Sequence, residues 1–260
     1  MTHIFAVANE KGGVAKTTSV ISIGGALVEQ GFDVLLVDLD AQANLTLALG
    51  IQPSKVRHST ADMLLNSEQA LSISRATNIA GLDIIPANSD MNLAERFLSV
   101  RQNYTQILRS ALAPVKLYDF ILLDCPPLLG AVTLNALTAA DFLIIPTQTE
   151  YFSTYALRSM LQTVKRVQSQ ENPDLTYKIL ITMFDVRNRI HRTIREQLYT
   201  RFGEQVFREM IQIDTKLRES VVAGVPIGLY AKKSRSAHQY RALVQELTID
   251  VEKIKITQPA

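Results

Sequence analysis

Six short apolar runs punctuate the chain, at 3–8 (HIFAVA), 33–38 (DVLLVD), 82–86 (LDIIP), 119–124 (DFILLD), 142–146 (FLIIP) and 177–182 (YKILIT). They are continuous rather than alternating, as strands covered on both faces are. Between them, apolar positions recur at helical spacing over 17–30, 91–113, 131–140, 154–170, 190–202 and 235–247. Alternating β and α predicts an α/β fold: a doubly wound, mainly parallel sheet with helices on both faces and right-handed crossovers. No Gly/Ser linker or internal repeat interrupts the pattern, so one domain over residues 1–260 is expected. Ligands of such sheets sit beyond the carboxyl ends of the strands, and the motifs below fall there.

Composition narrows the class. With 47% hydrophobic and 20% charged residues the chain can bury a sizeable core. One cysteine, Cys125, excludes a disulfide framework, an all-cysteine zinc site and an iron–sulfur centre on the chain's own ligands. The first apolar run is short and lacks a basic leader, so it predicts a strand rather than a signal peptide. No stretch of 18 apolar residues occurs, and a cytoplasmic protein of a reducing compartment is expected. The net charge of +2 conceals an asymmetry: residues 187–241 hold 12 Lys/Arg against 5 Asp/Glu. A block so basic on a nearly neutral chain points to a polyanionic partner.

The stretch Lys11-Gly12-Gly13-Val14-Ala15-Lys16-Thr17-Thr18 lies between the first strand and the first helix. A loop there turns successive N–H groups inward as an anion nest, and the helix N-terminus adds its dipole. Gly12 and Gly13 let backbone approach phosphate oxygens that a side chain would block. Lys16 is placed to reach β- and γ-phosphates, and the Thr17 hydroxyl to complete a Mg²⁺ shell, so ATP and Mg²⁺ are the expected cofactors.

The common pattern GxxxxGK[ST] is not met, because Glu10 and Ala15 occupy its glycine positions. The form with a leading lysine, KGGxGK[ST], does fit apart from Ala15, and here the chain resembles the ParA/MinD family of deviant Walker ATPases over nearly its whole length. The resemblance implies that Lys11 reaches across a dimer interface to the partner's nucleotide, where its charge offsets negative charge developing in phosphoryl transfer. Ala15 is tolerable on the expectation of a negative φ, with its methyl group modifying affinity or rate.

The second strand ends Val37-Asp38-Leu39-Asp40-Ala41-Gln42, the family's VDxDxQ signature. Asp38 and Asp40 are two apart and on a strand would face one side. By resemblance Asp40 positions or deprotonates the attacking water and Asp38 lies closer to the Mg²⁺ shell. Asp124 closes Phe120-Ile121-Leu122-Leu123, the Walker B pattern of apolar residues ending in an acid that holds Mg²⁺ through water. Pro126 and Pro127 stiffen the following segment, and Cys125 is expected to be an inert buried thiol. Family pattern places adenine near Met183 and the segment Ile211–Asp214.

The basic third carries Arg187, Arg189, Arg192 and Arg195, then Lys216 and Arg218, then Lys232, Lys233, Arg235 and Arg241. The stretch Asp214–Ser220 with Gly224-Val225-Pro226 resembles the corresponding part of ParA proteins, whose basic residues here bind DNA without sequence preference. Phosphate contacts of that kind act through counterion release and need no base reading. The resemblance thus implies a slow ATPase that forms a homodimer with ATP, binds nonspecific double-stranded DNA on the nucleoid, and positions or segregates a plasmid, chromosome or carboxysome with an activating adaptor protein. The carboxysome-positioning branch (McdA) is included because no added DNA-reading domain precedes the core. Two alternatives are a MinD-like membrane-associated ATPase and a metabolic P-loop ligase. The first needs a basic amphipathic tail, whereas Leu247–Ile256 carries two acids against two lysines and no aromatic anchor.

Overall fold

The computed structural model describes residues 2–150 and 153–257. Its strands are β1 (His3–Val7), β2 (Val34–Asp38), β3 (Arg75–Ala76), β4 (Leu82–Ile85), β5 (Phe120–Asp124), β6 (Phe142–Gln148) and β7 (Thr176–Thr182). They form one sheet in the order β3-β4-β2-β5-β1-β6-β7, parallel except for the two-residue β3 against β4. The six expected strands are all present, and β3 is an addition too short to leave a pattern.

The α-helices are α1 (Lys16–Glu29), α2 (Asn44–Ala48), α3 (Thr60–Asn66), α4 (Ala70–Ile73), α5 (Met91–Phe97), α6 (Ile107–Leu112), α7 (Ala131–Ala139), α8 (Ser153–Gln170), α9 (Arg189–Phe202), α10 (Thr215–Val222), α11 (Ile227–Tyr230) and α12 (Arg235–Thr257). Two expected helices differ. The stretch 91–113 is broken between α5 and α6, where Arg101-Gln102-Asn103 offers no apolar position to bury and Asn103 turns left-handed at φ 51°. The last helix continues ten residues past 247, because neither Gly nor Pro intervenes to stop it.

Both faces of the sheet are buried, which is why its strands are continuously apolar. Leu35, Val37, Ile121, Leu123, Leu143 and Ile145 face a core closed by α3 and α5 to α9. Their neighbours Val34, Leu36, Phe120, Leu122, Phe142 and Ile144 face α1 and α12. Helix α1 lies close against its surroundings through adjacent glycines. A Cβ on Gly24 would come within 3.1 Å of Leu36 Cδ2, and one on Gly25 would run into the Pro226 ring. Helix α12 is fastened to α1 by the buried Tyr240 hydroxyl against Ser19 Oγ (3.1 Å) and by Arg241 donating to Glu29. The expected ligand edge is thereby set: the carboxyl ends of β1, β2, β5, β6 and β7 converge around the first turn of α1.

Candidate nucleotide site and basic surface

The loop after β1 is built by reciprocal amides. Asn9 is buried; its Nδ2 donates to the Pro146 carbonyl (2.7 Å) and its Oδ1 accepts the Lys11 N–H (3.0 Å). Gln148 Nε2 donates to the Gly13 carbonyl (3.2 Å) and Thr182 Oγ1 to the Val14 carbonyl (3.1 Å), so β6 and β7 hold the loop from the other side. Gly13 takes φ 75°, a conformation open to glycine, and a Cβ on either Gly12 or Gly13 would meet nothing within 4 Å. This open glycine face is where an anion can approach the backbone.

Ala15, expected at negative φ, instead adopts φ 67°, ψ 35° at the head of α1. The chain must turn left-handed there to enter the helix, and a residue with a Cβ carries the steric cost of that turn. Lys16 then curls back into the loop, its Nζ donating to the carbonyls of Asn9 (3.1 Å) and Lys11 (3.3 Å). Burial pulls its pKa down, opposed by the carboxylate of Asp124, the Cys125 thiol and the carboxylate of Asp40.

Thr17 Oγ1 donates to Asp124 Oδ2 at 2.7 Å, while the other oxygen, Oδ1, is buried without a hydrogen-bond partner. Asp124 pairs in register with Asp38 across β2 and β5. Burial, with the Asp38 charge beside it, holds the Asp124 carboxyl well above the usual carboxylate range. A buried acid with an unused oxygen beside a hydroxyl is a donor set suited to a hard cation, and Mg²⁺ fits it.

Asp38 and Asp40 do not form a pair on one strand face as the spacing predicts. The strand ends at Asp38, which accepts from Thr46 N (2.9 Å), Thr46 Oγ1 (2.6 Å) and the Asp40 N–H (3.1 Å). Burial pushes its pKa up to about 6 against those hydrogen bonds. Asp40 stands in the turn beyond, half-buried, accepting only the Gln42 N–H (2.9 Å) through Oδ1. Of the two, Asp40 keeps an oxygen free for a ligand. Cys125 is buried and its thiol pKa is pushed far up, so it is held as the unreactive thiol.

Lys11 folds back onto its own chain. Its Nζ donates to Glu150 Oε2 (2.6 Å), Gln148 Oε1 (3.0 Å) and Ser153 Oγ (3.2 Å). Asn9, Gln148, Glu150 and Ser153 were not among the expected site residues. The last three lie well over a hundred residues from Lys11, and only the placement of β6 beside β1 connects them.

Met183 and Ile211–Asp214 do meet. With Ala15, Thr18 and Arg218 they line a small pocket of about 60 Å³ beside the loop. Met183 is left-handed at φ 52°, and the Asp214 carboxylate caps α10 through the Lys216 N–H while also accepting from Ser236.

The basic residues gather beyond β7. Phe184 N–H donates to the Ile211 carbonyl and Ile213 N–H to the Phe184 carbonyl, and Arg235 donates to the Ile213 carbonyl. These bonds bring the start of α9, the start of α10 and the first turn of α12 to one region. Arg187, Arg189, Arg192, Lys216, Arg218, Lys232, Lys233 and Arg235 are exposed there, whereas Arg195 is half-buried over the Phe184 ring (5.8 Å). Several have partners in the chain. Arg187 grips Asp185, Lys216 pairs with Glu219 at 2.8 Å, and Arg241 is committed to Glu29 and the Lys232 carbonyl.

Comparison with known proteins matches residues 2–177 to the AAA domain family. The chain is 41% identical over 241 residues to the chromosome-partitioning ATPase Soj of Treponema pallidum, covering 92% of this chain and 94% of that one. A structure from Mycobacterium smegmatis described as cobyrinic acid a,c-diamide synthase with bound ATP analog and magnesium has a TM-score of 0.84 at 37% identity, with 95% of each chain covered. McdA from Cyanothece, bound to ATP, superposes with a TM-score of 0.85 over 94% of this chain and 95% of that one; at 17% identity the likeness is one of fold.

Proposed function

The chain belongs to the AAA-domain family of the ParA and Soj partition ATPases, and on that footing we propose that it is an ATPase whose nucleotide-bound dimer holds DNA and positions a cargo. ATP and Mg²⁺ are its cofactors, as the bound ATP analog and magnesium of the 37%-identical M. smegmatis protein support. The observation that carries the nucleotide half is the unused, buried Asp124 Oδ1 beside the Thr17 hydroxyl, at the mouth of a loop whose glycines leave backbone N–H groups accessible.

The residues divide the work. The loop from Gly12 to Thr18 cradles the phosphates through its N–H groups and the first turn of α1. Lys16, kept among carbonyls and away from bulk water, exchanges those contacts for phosphate oxygens. Thr17 and Asp124 hold the metal, which, when bound, neutralises phosphate charge and fixes the phosphate oxygens. Asp38, saturated by Thr46 and the Asp40 N–H, fixes the turn that presents Asp40, and Asp40 orients water with its free oxygen. Met183 and the backbone of Ile211–Asp214 flank the base. Lys11 leaves Glu150 to reach a second subunit's nucleotide.

The basic region beyond β7 supports the DNA half. Each of its exposed cations can release counterions from a phosphate backbone, and a dimer presents two such regions so that the second contact is intramolecular. An activator carried by the cargo completes the cycle, in the cytoplasm and on the nucleoid. The membrane alternative needs a basic amphipathic tail, and the side chains past Asp250 lie outside the described residues. The ligase alternative rests on the name of the M. smegmatis protein.

One experiment separates these readings. Binding to a random-sequence duplex is measured without nucleotide, with ADP and with ATP, at several salt concentrations, for wild type, Lys11→Ala and Asp40→Ala. The partition reading expects binding that needs ATP, persists in Asp40→Ala, fails in Lys11→Ala and falls steeply with salt. ATP hydrolysis indifferent to DNA, with no nucleotide-dependent duplex binding, would sink it in favour of the ligase.

A further inference from the structure

A second surface begins at Tyr155, which also lines a hollow with Glu10 and Lys11, and runs away from the nucleotide loop along α8. Helices α8 and α9 diverge over β7 and leave an open groove of about 1030 Å³ between them. Its floor is apolar: Leu161 from α8 and Phe202 from α9 are partly exposed over the buried Leu157, Ile194 and Leu198, with the half-buried Tyr177 ring at one end. On each helix these positions recur at intervals of four, so the two helices turn one face each towards the groove. The exposed Tyr155, 72% accessible, stands at the other end.

The rim is one-sided in charge. Arg158 and Lys165 line it from α8 and Arg201 from α9, all exposed, with Gln162 and Gln197 between them. No acid lines the groove, and among the described residues none of the three cations pairs with a carboxylate; Arg201 lies over the Phe202 ring at 5.5 Å. Helix α8 itself contains no Asp or Glu over residues 153–170.

We propose that the α8–α9 groove docks an acidic amphipathic helix of a partner protein, its apolar stripe on the Leu161–Leu198 floor and its carboxylates on Arg158, Lys165 and Arg201. From Tyr155 to Gln168 the groove runs the length of thirteen helical residues, roughly 20 Å at 1.5 Å per residue, which accommodates three to four turns of a guest helix. The apolar floor selects a protein helix over a nucleic acid, whose backbone offers nothing to bury there. Covering the accessible parts of Tyr155, Leu161, Tyr177 and Phe202 supplies affinity, and the rim supplies orientation and a preference for one sign of charge. The groove shares no residue with the nucleotide loop, so this proposal stands or falls independently of the function proposed above.

The test uses a displayed library of 14-residue helical peptides with a fixed Leu/Phe stripe and flanking positions randomised among Glu, Gln and Lys. It is selected on the full-length protein and on the rim variant Arg158→Glu/Lys165→Glu/Arg201→Glu. All three changes are at exposed positions, and circular dichroism confirms that the variant is folded. The expected result is at least tenfold enrichment of Glu over Lys on wild type, reversed on the variant, with Leu161→Gln weakening the selected peptides at least fivefold. Enrichment of Lys, no charge preference, or the same preference on both proteins would overturn the proposal. It is equally overturned if the rim variant loses duplex binding while keeping the peptide preference, which makes the groove a nucleic-acid face. Loss of the ATP-state dimer in sedimentation of the rim variant would reassign it to a second copy of this chain.

Discussion

Ala15 offers a direct test of how the nucleotide loop is held. Its φ of 67° and ψ of 35° place a Cβ where the following carbonyl crowds it. A left-handed residue with a side chain costs about 1–2 kcal/mol relative to the right-handed form. Replacing Ala15 by Gly removes that cost but frees the unfolded chain, which returns about 0.4–1 kcal/mol. The balance is a stabilisation of roughly 0.5–1 kcal/mol, or about 1–4 °C in Tm for a chain of this size. Ala111, in α6, supplies the control of opposite sign, since glycine inside a right-handed helix costs about 1 kcal/mol. Urea unfolding of the nucleotide-free protein, with ΔG extrapolated from midpoint and slope, measures both. If Ala15→Gly loses stability as Ala111→Gly does, the loop does not enter α1 through a left-handed residue and the account of the strained cradle is wrong. Nucleotide affinity is then informative in its own right: Ala15 lines the small pocket with Met183 and Ile211–Asp214, so removal of its methyl group should change ATP affinity where the base seats there.

Other expectations follow from the same geometry. Gly25→Ala drives a Cβ into Pro226, so it should destabilise by about 1–3 kcal/mol in thermal unfolding, whereas an unchanged Tm would mean that the 226 segment yields freely. Lys178 is largely enclosed and pairs with both Glu246 and Asp250, tying β7 to α12. Lys178→Met should cost about 1–3 kcal/mol in urea unfolding because two carboxylates lose their cation, and a neutral outcome would show the pairs to be solvent-screened. The Asp185 carboxyl is held down to about 2 by hydrogen bonds from Arg187, below its ordinary 3.8. A depressed folded pKa stabilises above the unfolded value and is lost as pH falls from about 4 towards 2. Titration of the carboxyl carbon by NMR should therefore move upward in Arg187→Ala, and a midpoint that stays near 2 would assign the shift to another group.

The readable part of this molecule was the part made of runs. Each strand of four or more residues announces itself because both its faces are buried, and the Lys11–Thr18 stretch can be placed because a run precedes it and a helical pattern follows. The short helix α3 leaves no long apolar pattern, yet Ser59-Thr60-Ala61-Asp62 carries its start: Ser59 and Asp62 form a reciprocal capping box. That signal is local and lies in the spacing of Ser59 and Asp62 alone. By contrast, the partners of Lys11 and the use of Asp38 by Thr46 depend on which strands become neighbours, and no spacing along the chain encodes them. Ala15 shows a third kind of gap. The residue type argued for an ordinary backbone, and the demand of the turn outweighed the preference of the residue.

The position of β1 has a consequence for how the protein is made. This strand leaves the ribosome ahead of the rest of the sheet, yet its neighbours are β5 and β6, with His3 opposite Phe120 and Phe5 opposite Phe142. More than a hundred residues must follow it before either edge can pair, on the order of ten seconds of synthesis. Until then the loop behind it has no Pro146, Gln148 or Thr182 to hold its carbonyls and amides in place. The segment that grips the nucleotide is thus made well before the strands that complete it. A nascent chain arrested before β6 should be unable to draw on ATP as a folding ligand.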